Sequence, residues 1–194
     1  GNNGGFVVTD IVKKPIIYIY PIEKMDVEVK LGNPQYLSCT YPKYKNGWSV
    51  TADVDGTLVD KNTEKNLYAL YWEGKEVPKN INLKEGFCVK GKDTATFLEE
   101  KLSLLGLSDK EAEEFIIYWL PKMEENNYNY IRFETKEEQD KSMPLEITPK
   151  PDNLIRVMMD WKGLDEKIEV QEQNLETPIR EGYTVVEWGG TEIK

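Results

Sequence analysis

Apolar and polar residues alternate along several short segments of this chain, and this alternation restricts the fold to one rich in β-strands. Residues 25–31 alternate strictly, and residues 48–54 repeat the pattern after an Asn46-Gly47 turn signal. A strand with this period buries one face and exposes the other. Half-exposed strands joined by short turns predict an antiparallel sheet or sandwich.

Further strands are predicted where β-branched and aromatic residues cluster. These segments are residues 16–20, 36–41, 67–72, 128–133, 143–148, 154–161 and 183–188.

The middle of the chain has helical patterning. A first helix is predicted at about 93–106, with its apolar residues on one face and Gly106 at its end. Ser108 and Glu111 have capping-box spacing, which predicts a second helix at about 108–118. Residues 115–120 are rich in strand formers and stop at Pro121, so the helix is expected to run into a strand that pairs with residues 128–133. Because the helices form one insertion instead of alternating with strands, the predicted class is α+β.

The predicted organisation has three parts. Residues 1–14 read as a linker, residues 15–75 as a β-rich part and residues 76–194 as an α+β part packed against it in one compact unit. A glycine- and asparagine-rich start is typical of the segment that follows a removed export signal or a lipidated cysteine, and equally of a frayed terminus.

Composition excludes several classes of function. The chain has no histidine, which rules out Ser-His-Asp and Cys-His catalysis and histidine-bound zinc. Its 35 acidic and 25 basic residues give a net charge of −10, which disfavours nucleic acid and anionic lipid as partners. No apolar run is long enough to cross a bilayer.

One catalytic signature is present in outline. The run from Asp53 to Leu58, Asp-Val-Asp-Gly-Thr-Leu, resembles the first motif of haloacid-dehalogenase-type phosphatases, which implies Asp53 as nucleophile and Asp55 as general acid with Mg²⁺. That motif follows a buried parallel strand, whereas residues 48–54 alternate and a polar turn follows. A β-hairpin is therefore predicted, and the phosphatase alternative would need Asp160 and Asp165 nearby.

Two other groups of residues are candidates for binding or catalysis. Glu73 and Glu187 each lie beside a tryptophan at a strand end, as in carboxylate-pair glycosidases. The aromatic and acidic side chains that could line a protein or sugar surface are Tyr44, Trp48, Trp72, Glu73, Glu187 and Trp188.

The two cysteines, Cys39 and Cys88, are too few for a structural metal site. Both lie in strand-like apolar contexts, so two buried thiols are the simpler interpretation, and one disulfide stays open as the alternative.

Six strings resemble a family of uncharacterised bacterial proteins along nearly the whole chain from Pro15 onward. They are Lys14 to Pro21, Cys39 to Pro42, Tyr71 to Gly74, Gly86 to Val89, Tyr118 to Pro121 and Val185 to Gly190. Members of that family are exported or lipoprotein-like and have no assigned activity. The resemblance implies an extracellular or cell-envelope location, with a lipid anchor upstream of residue 1 as one form of it.

These observations together favour a non-enzymatic binding or envelope-associated module for an unknown protein or carbohydrate ligand, with no cofactor. An Mg²⁺-dependent phosphatase using Asp53 and Asp55 and a carboxylate-pair glycosidase are the alternatives.

Overall fold

The computed structural model describes residues 5–8, 12–75 and 79–194, which form three helices and sixteen strands. The helices are α1 (Thr94–Leu104), α2 (Asp109–Met123) and α3 (Lys136–Ser142). The strands are β1 (Gly5–Val8), β2 (Val12–Lys13), β3 (Ile16–Tyr20), β4 (Met25–Leu31), β5 (Leu37–Tyr41), β6 (Trp48–Ala52), β7 (Leu58–Asp60), β8 (Asn66–Leu67), β9 (Leu70–Lys75), β10 (Lys79–Asn82), β11 (Glu85–Lys90), β12 (Tyr128–Phe133), β13 (Leu145–Thr148), β14 (Asn153–Leu164), β15 (Gln171–Glu172) and β16 (Thr184–Glu192).

The strands form a large mixed sheet, a smaller antiparallel sheet and a separate pair. The large sheet has nine strands in the order β15-β11-β12-β14-β16-β3-β9-β2, with β5 also paired to β9. The smaller sheet has five strands in the order β13-β4-β6-β7-β8, and β1 pairs with β10. At the centre of the large sheet, β14 and β16 run parallel, whereas β16 and β3 are antiparallel. The predicted α+β class is confirmed.

The large sheet is covered on both faces, so the molecule has three layers. Tyr18 and Val186 face a core formed with α1 and α2, and their neighbours Ile17 and Val185 face a second core formed with the five-stranded sheet. Successive residues of a strand point to opposite faces, so one pair of strands contributes to both cores.

The helix prediction is confirmed at α1 and at the start of α2, where both hydrogen bonds of the Ser108–Glu111 capping box form. The strand predicted at residues 115–120 is wrong, because α2 continues through Pro121 to Met123. Phe115, Trp119 and Met123 are buried at four-residue spacing on the face that meets the sheet. Burial of that helical stripe outweighs the local strand propensity.

A third helix, α3, lies where the sequence predicted none. A second capping box, between Thr135 and Glu138, starts this helix directly after β12. The helix has seven residues and only Gln139 among them is buried, so it has no apolar period to detect.

In the structure, all three predicted parts of the chain contribute strands to the large sheet. Within residues 1–14, two short strands form, β1 and β2, and the side chain of Lys13 is buried. The large sheet takes β3, β5 and β9 from residues 15–75 and β11, β12, β14, β15 and β16 from residues 76–194. No helix in the described part of the chain has the length and apolarity of a membrane span.

Truncating Phe115 to alanine tests the packing of α2 on the large sheet. Phe115 is fully buried, and we expect Phe115→Ala to lower the free energy of unfolding by about 3–5 kcal/mol. Ile117→Ala on the same helix is the matched control, because Ile117 is 66% exposed and should change stability by less than about 0.5 kcal/mol. Chemical denaturation measures both, and equal losses would contradict this packing.

Candidate functional site

A groove of about 960 Å³ opens where the chain passes from β13 into β14. Residues 154–157 of β14 lie at its floor, α3 and β13 form one wall, and Leu105 with residues 176–178 forms the other. We call this surface the β14 groove.

The outer edge of β14, the side away from β16, is only partly paired. The even-numbered residues of β14 direct their backbone groups to this edge, because the Met158 carbonyl accepts from Glu134 N–H at 2.8 Å and the Arg156 carbonyl accepts from Gln139 Nε2 at 2.9 Å. After Glu134, the segment that follows β12 leaves the sheet and forms α3. Within the described residues, the N–H and C=O of Leu154 and the N–H of Arg156 have no hydrogen-bond partner.

The backbone of Arg156 is more exposed than its side chain. The residue as a whole is half-buried, yet its side chain is only 5% exposed. The exposed part of Arg156 is therefore its backbone, which lies at the floor of the β14 groove.

A second sheet edge faces the same groove. The Gly32 N–H donates to the Pro144 carbonyl at 2.8 Å, and the antiparallel register then directs even-numbered residues of β13 to β4. Leu145 and Ile147 consequently direct their backbone groups outward, and in the described part of the chain nothing pairs with them. The β14 groove thus lies between unpaired edges of the two sheets.

The rim of the groove is acidic. Four exposed acids and two exposed lysines line it: Asp140, Glu146, Asp152, Glu176, Lys136 and Lys150.

Beneath the groove, the large sheet carries a buried ion pair. Arg156 Nε donates to Glu187 Oε1 at 2.8 Å, and Glu187 is fully buried. Trp72 Nε1 donates to the other oxygen of Glu187 at 3.0 Å. Asp140 on α3 lies 3.6 Å from Arg156 Nη1. The carboxylate of Glu187 is held on both oxygens, so it is fixed in place.

A lysine, a glutamate and a serine form a second, largely buried group of polar side chains. Lys13 Nζ is 3.1 Å from each carboxylate oxygen of Glu134 and 3.2 Å from Ser142 Oγ. Lys13 Nζ donates to both groups, so its amine is engaged in a buried ion pair with Glu134.

A third set of charges lies on the same face of the large sheet. Together with the Arg156–Glu187 and Lys13–Glu134 pairs it forms what we call the buried network. Arg132 donates to Asp160 at 2.8 Å and to both oxygens of Glu138 on α3, at 2.6 and 3.0 Å. Burial alone would lower the pKa of the Arg132 guanidinium, but the hydrogen bonds to Glu138 and the charge of Asp160 outweigh it and raise that pKa. The network therefore consists of paired acidic and basic side chains that α3 covers.

The Asp53–Asp55 segment forms the turn of the predicted hairpin, which the antiparallel pairing of β6 with β7 confirms. Asp55 Oδ1 accepts from the Thr57 N–H at 2.8 Å, and this hydrogen bond lowers the pKa of the exposed Asp55 carboxyl. Asp53 Oδ1 accepts from the Val54 N–H at 2.8 Å. Both carboxylates stabilise the turn.

The four acids of the phosphatase alternative do not converge. The turn lies against Tyr20, which pairs with Thr184, whereas Asp160 pairs with Thr191, seven positions further along β16 and roughly 23 Å away at the usual rise of a strand. Asp165 follows the far end of β14. Among the described residues, no group of three acidic or cysteine side chains is placed to hold a metal ion.

The two acids of the glycosidase alternative lie on opposite faces of the large sheet. Trp72 reaches Glu187 on the face toward the five-stranded sheet. Glu73 is the next residue of β9, so its side chain points to the helix face, where it accepts from the Tyr71 hydroxyl at 3.0 Å. Glu73 and Glu187 therefore cannot flank one glycosidic bond.

The tryptophan candidates for a binding surface are packed inside the protein, and Tyr44 is partly buried beside them. Trp48, Trp72 and Trp188 are at most 2% exposed and belong to the two cores. Tyr44 packs edge-on against Trp48, and its hydroxyl accepts from the Leu31 N–H at 3.0 Å. For the three tryptophans an exposed binding surface is wrong, because alternation turns them toward the cores; Tyr44 is partly buried.

The cysteine predictions are also corrected. Cys39 is an exposed free thiol on β5, and Cys88 is a partly buried free thiol on β11. Five strands of the large sheet separate β5 from β11, which is on the order of 30 Å, far beyond disulfide range. Neither the bridge nor a buried Cys39 thiol is present.

Most residues of the buried network were missed in the sequence analysis. Only Asp160, Glu187 and Trp72 were among the candidates. One detectable signal was the presence of Arg156 and Glu187 inside apolar strands, and the other was the Thr135–Glu138 capping box. Lys13 and Glu134 gave no signal of their own.

Comparisons of the chain with protein-family models, with curated proteins and with solved structures find no match. Membership of the exported bacterial family stays a prediction from the resemblance.

Neutralising Glu187 tests the buried network. Glu187→Gln keeps the shape and an acceptor for Trp72 but leaves the buried Arg156 charge with Asp140 alone. We expect a loss of about 3 kcal/mol in the free energy of unfolding, because an uncompensated buried charge is costly.

Two controls accompany that measurement. Glu73→Gln, on the opposite face and partly exposed, should cost less than about 1 kcal/mol. Adding Arg156→Met to Glu187→Gln should recover part of the stability. An unchanged Glu187→Gln variant would contradict the assignment of this pair.

Proposed function

We propose that this protein is a non-enzymatic binding module whose ligand occupies the β14 groove. The observation that supports this most is the unpaired outer edge of β14 at the floor of the groove, above buried charges that are already paired. An unpaired sheet edge is a ready-made template for binding another molecule.

The paired charges beneath the groove support binding over catalysis. A general acid or base needs a pKa near neutrality and access to a substrate. Arg156, Glu187 and Lys13 are instead held in ion pairs and are almost fully buried. Such groups fix the shape of a site, and a preformed site loses less entropy when a ligand binds.

The class of ligand and the compartment are part of the same proposal. The net charge of −10 and the acidic rim favour a protein or carbohydrate ligand over nucleic acid. The exported, cell-envelope location is supported by the resemblance of the six strings alone.

Binding screens with two chemically defined probe sets test this function. The probes are a phage-displayed library of random decapeptides and a panel of soluble glucan, chitin and peptidoglycan oligosaccharides. The native protein should bind members of at least one set. Leu154→Trp places a bulky ring at the floor of the groove and should weaken that binding at least about tenfold.

Ile117→Trp is the matched control, because Ile117 is also an exposed apolar residue but lies on α2, outside the groove. It should bind like the native protein. Thermal unfolding verifies that both variants are folded. A native protein that binds neither set, or a Leu154→Trp variant that binds as well as Ile117→Trp, would overturn the proposed function.

A further inference from the structure

We infer that the occupant of the β14 groove is an extended, basic segment of polypeptide that adds as a strand to the outer edge of β14. This inference rests on the proposed function and specifies its ligand.

The hydrogen-bonding groups at the floor of the groove match a polypeptide backbone. Leu154 offers a donor and an acceptor to the edge, and Arg156 offers a donor two residues later. Alternate residues of a strand repeat roughly every 6.6 Å, which is the spacing of the outward groups on any neighbouring strand. An added strand satisfies these groups with main-chain hydrogen bonds, without regard to its side chains.

The protein limits the free edge at both ends. Toward α3, the Gln139 side chain occupies the Arg156 carbonyl. Toward the start of β14, the backbone N–H groups of Asp152 and Asn153 both donate to the Tyr183 carbonyl, at 2.8 and 3.2 Å. About three residues of an added strand can therefore pair with β14, and the rest of the segment lies along the walls.

Charge and apolar contact specify the occupant further. The rim has two more acids than lysines, so basic side chains on the occupant gain electrostatic attraction. Leu154 is 40% exposed at the floor and offers an apolar contact to the segment. A second copy of this chain is a poorer occupant, since two molecules with a net charge of −10 repel each other.

Backbone methylation of a bound peptide tests the inference on the unmodified protein. Each decapeptide selected from the library is synthesised in three forms. One is unmodified, one is N-methylated at its odd-numbered residues, and one is N-methylated at its even-numbered residues; we call the odd and even sets the two phases. An added strand uses the N–H groups of one phase only. One methylated series should lose at least about tenfold in affinity, and the other should stay within about threefold.

A pair of substitutions at one position tests the protein side. Leu154→Pro removes the outward N–H while leaving the bonds to β16, which odd-numbered residues make, and should weaken peptide binding at least about tenfold. Leu154→Ala keeps the N–H and should weaken it much less. Raising the salt concentration should weaken binding of the native protein, because the segment is basic.

Three outcomes would overturn the inference. Equal affinity of both methylated series would exclude strand addition, and selection of acidic peptides would exclude the basic occupant. Binding of oligosaccharides without any peptide would exclude a polypeptide ligand while leaving the proposed function intact. A native protein that binds no probe of either kind overturns the proposed function itself. Because the methylation series uses the native chain, the result holds even if Leu154→Pro does not fold.

Discussion

The parallel pairing of β14 with β16 is the interaction on which the rest of the structure depends. The side chains of β16 contribute to both major cores. Those of β14 contribute to the core under the helices on one face, and its other face carries Arg156 and Asp160 beneath α3. The register of the two strands also places Arg156 directly beside Glu187. A buried charge without a partner would cost several kcal/mol, so the parallel register and the ion pair require each other.

The same constraint explains why the β14 groove exists. The charged face of the large sheet has to be covered, and α3 covers it by supplying Glu138, Gln139, Asp140 and Ser142 to the network. To reach that position the chain leaves the sheet immediately after β12, which uncovers the outer edge of β14. The paired charges beneath the groove and the open edge at its floor therefore both result from the change of chain direction after β12.

Local patterns predicted much of the fold and little of the site. Strict alternation at residues 25–31 and 48–54 identified β4 and β6, and the Ser108–Glu111 capping box identified the start of α2. Strand propensity at residues 115–120 failed because burial against the sheet decides that segment. The site could not be predicted, because Arg156 and Glu187 are far apart in sequence and only the parallel register brings them together. The catalytic-looking Asp53 and Asp55 have a local role, which is to hold a turn.

Amide hydrogen exchange of the free protein shows directly whether the outer edge of β14 is unpaired. Odd-numbered residues of β14 bond to β16, whereas Leu154 and Arg156 direct their N–H groups into the groove. We expect slow exchange at Ile155 and Val157 and fast exchange at Leu154 and Arg156, measured residue by residue by NMR. Slow exchange at all four amides would contradict it, because the edge would then already be paired.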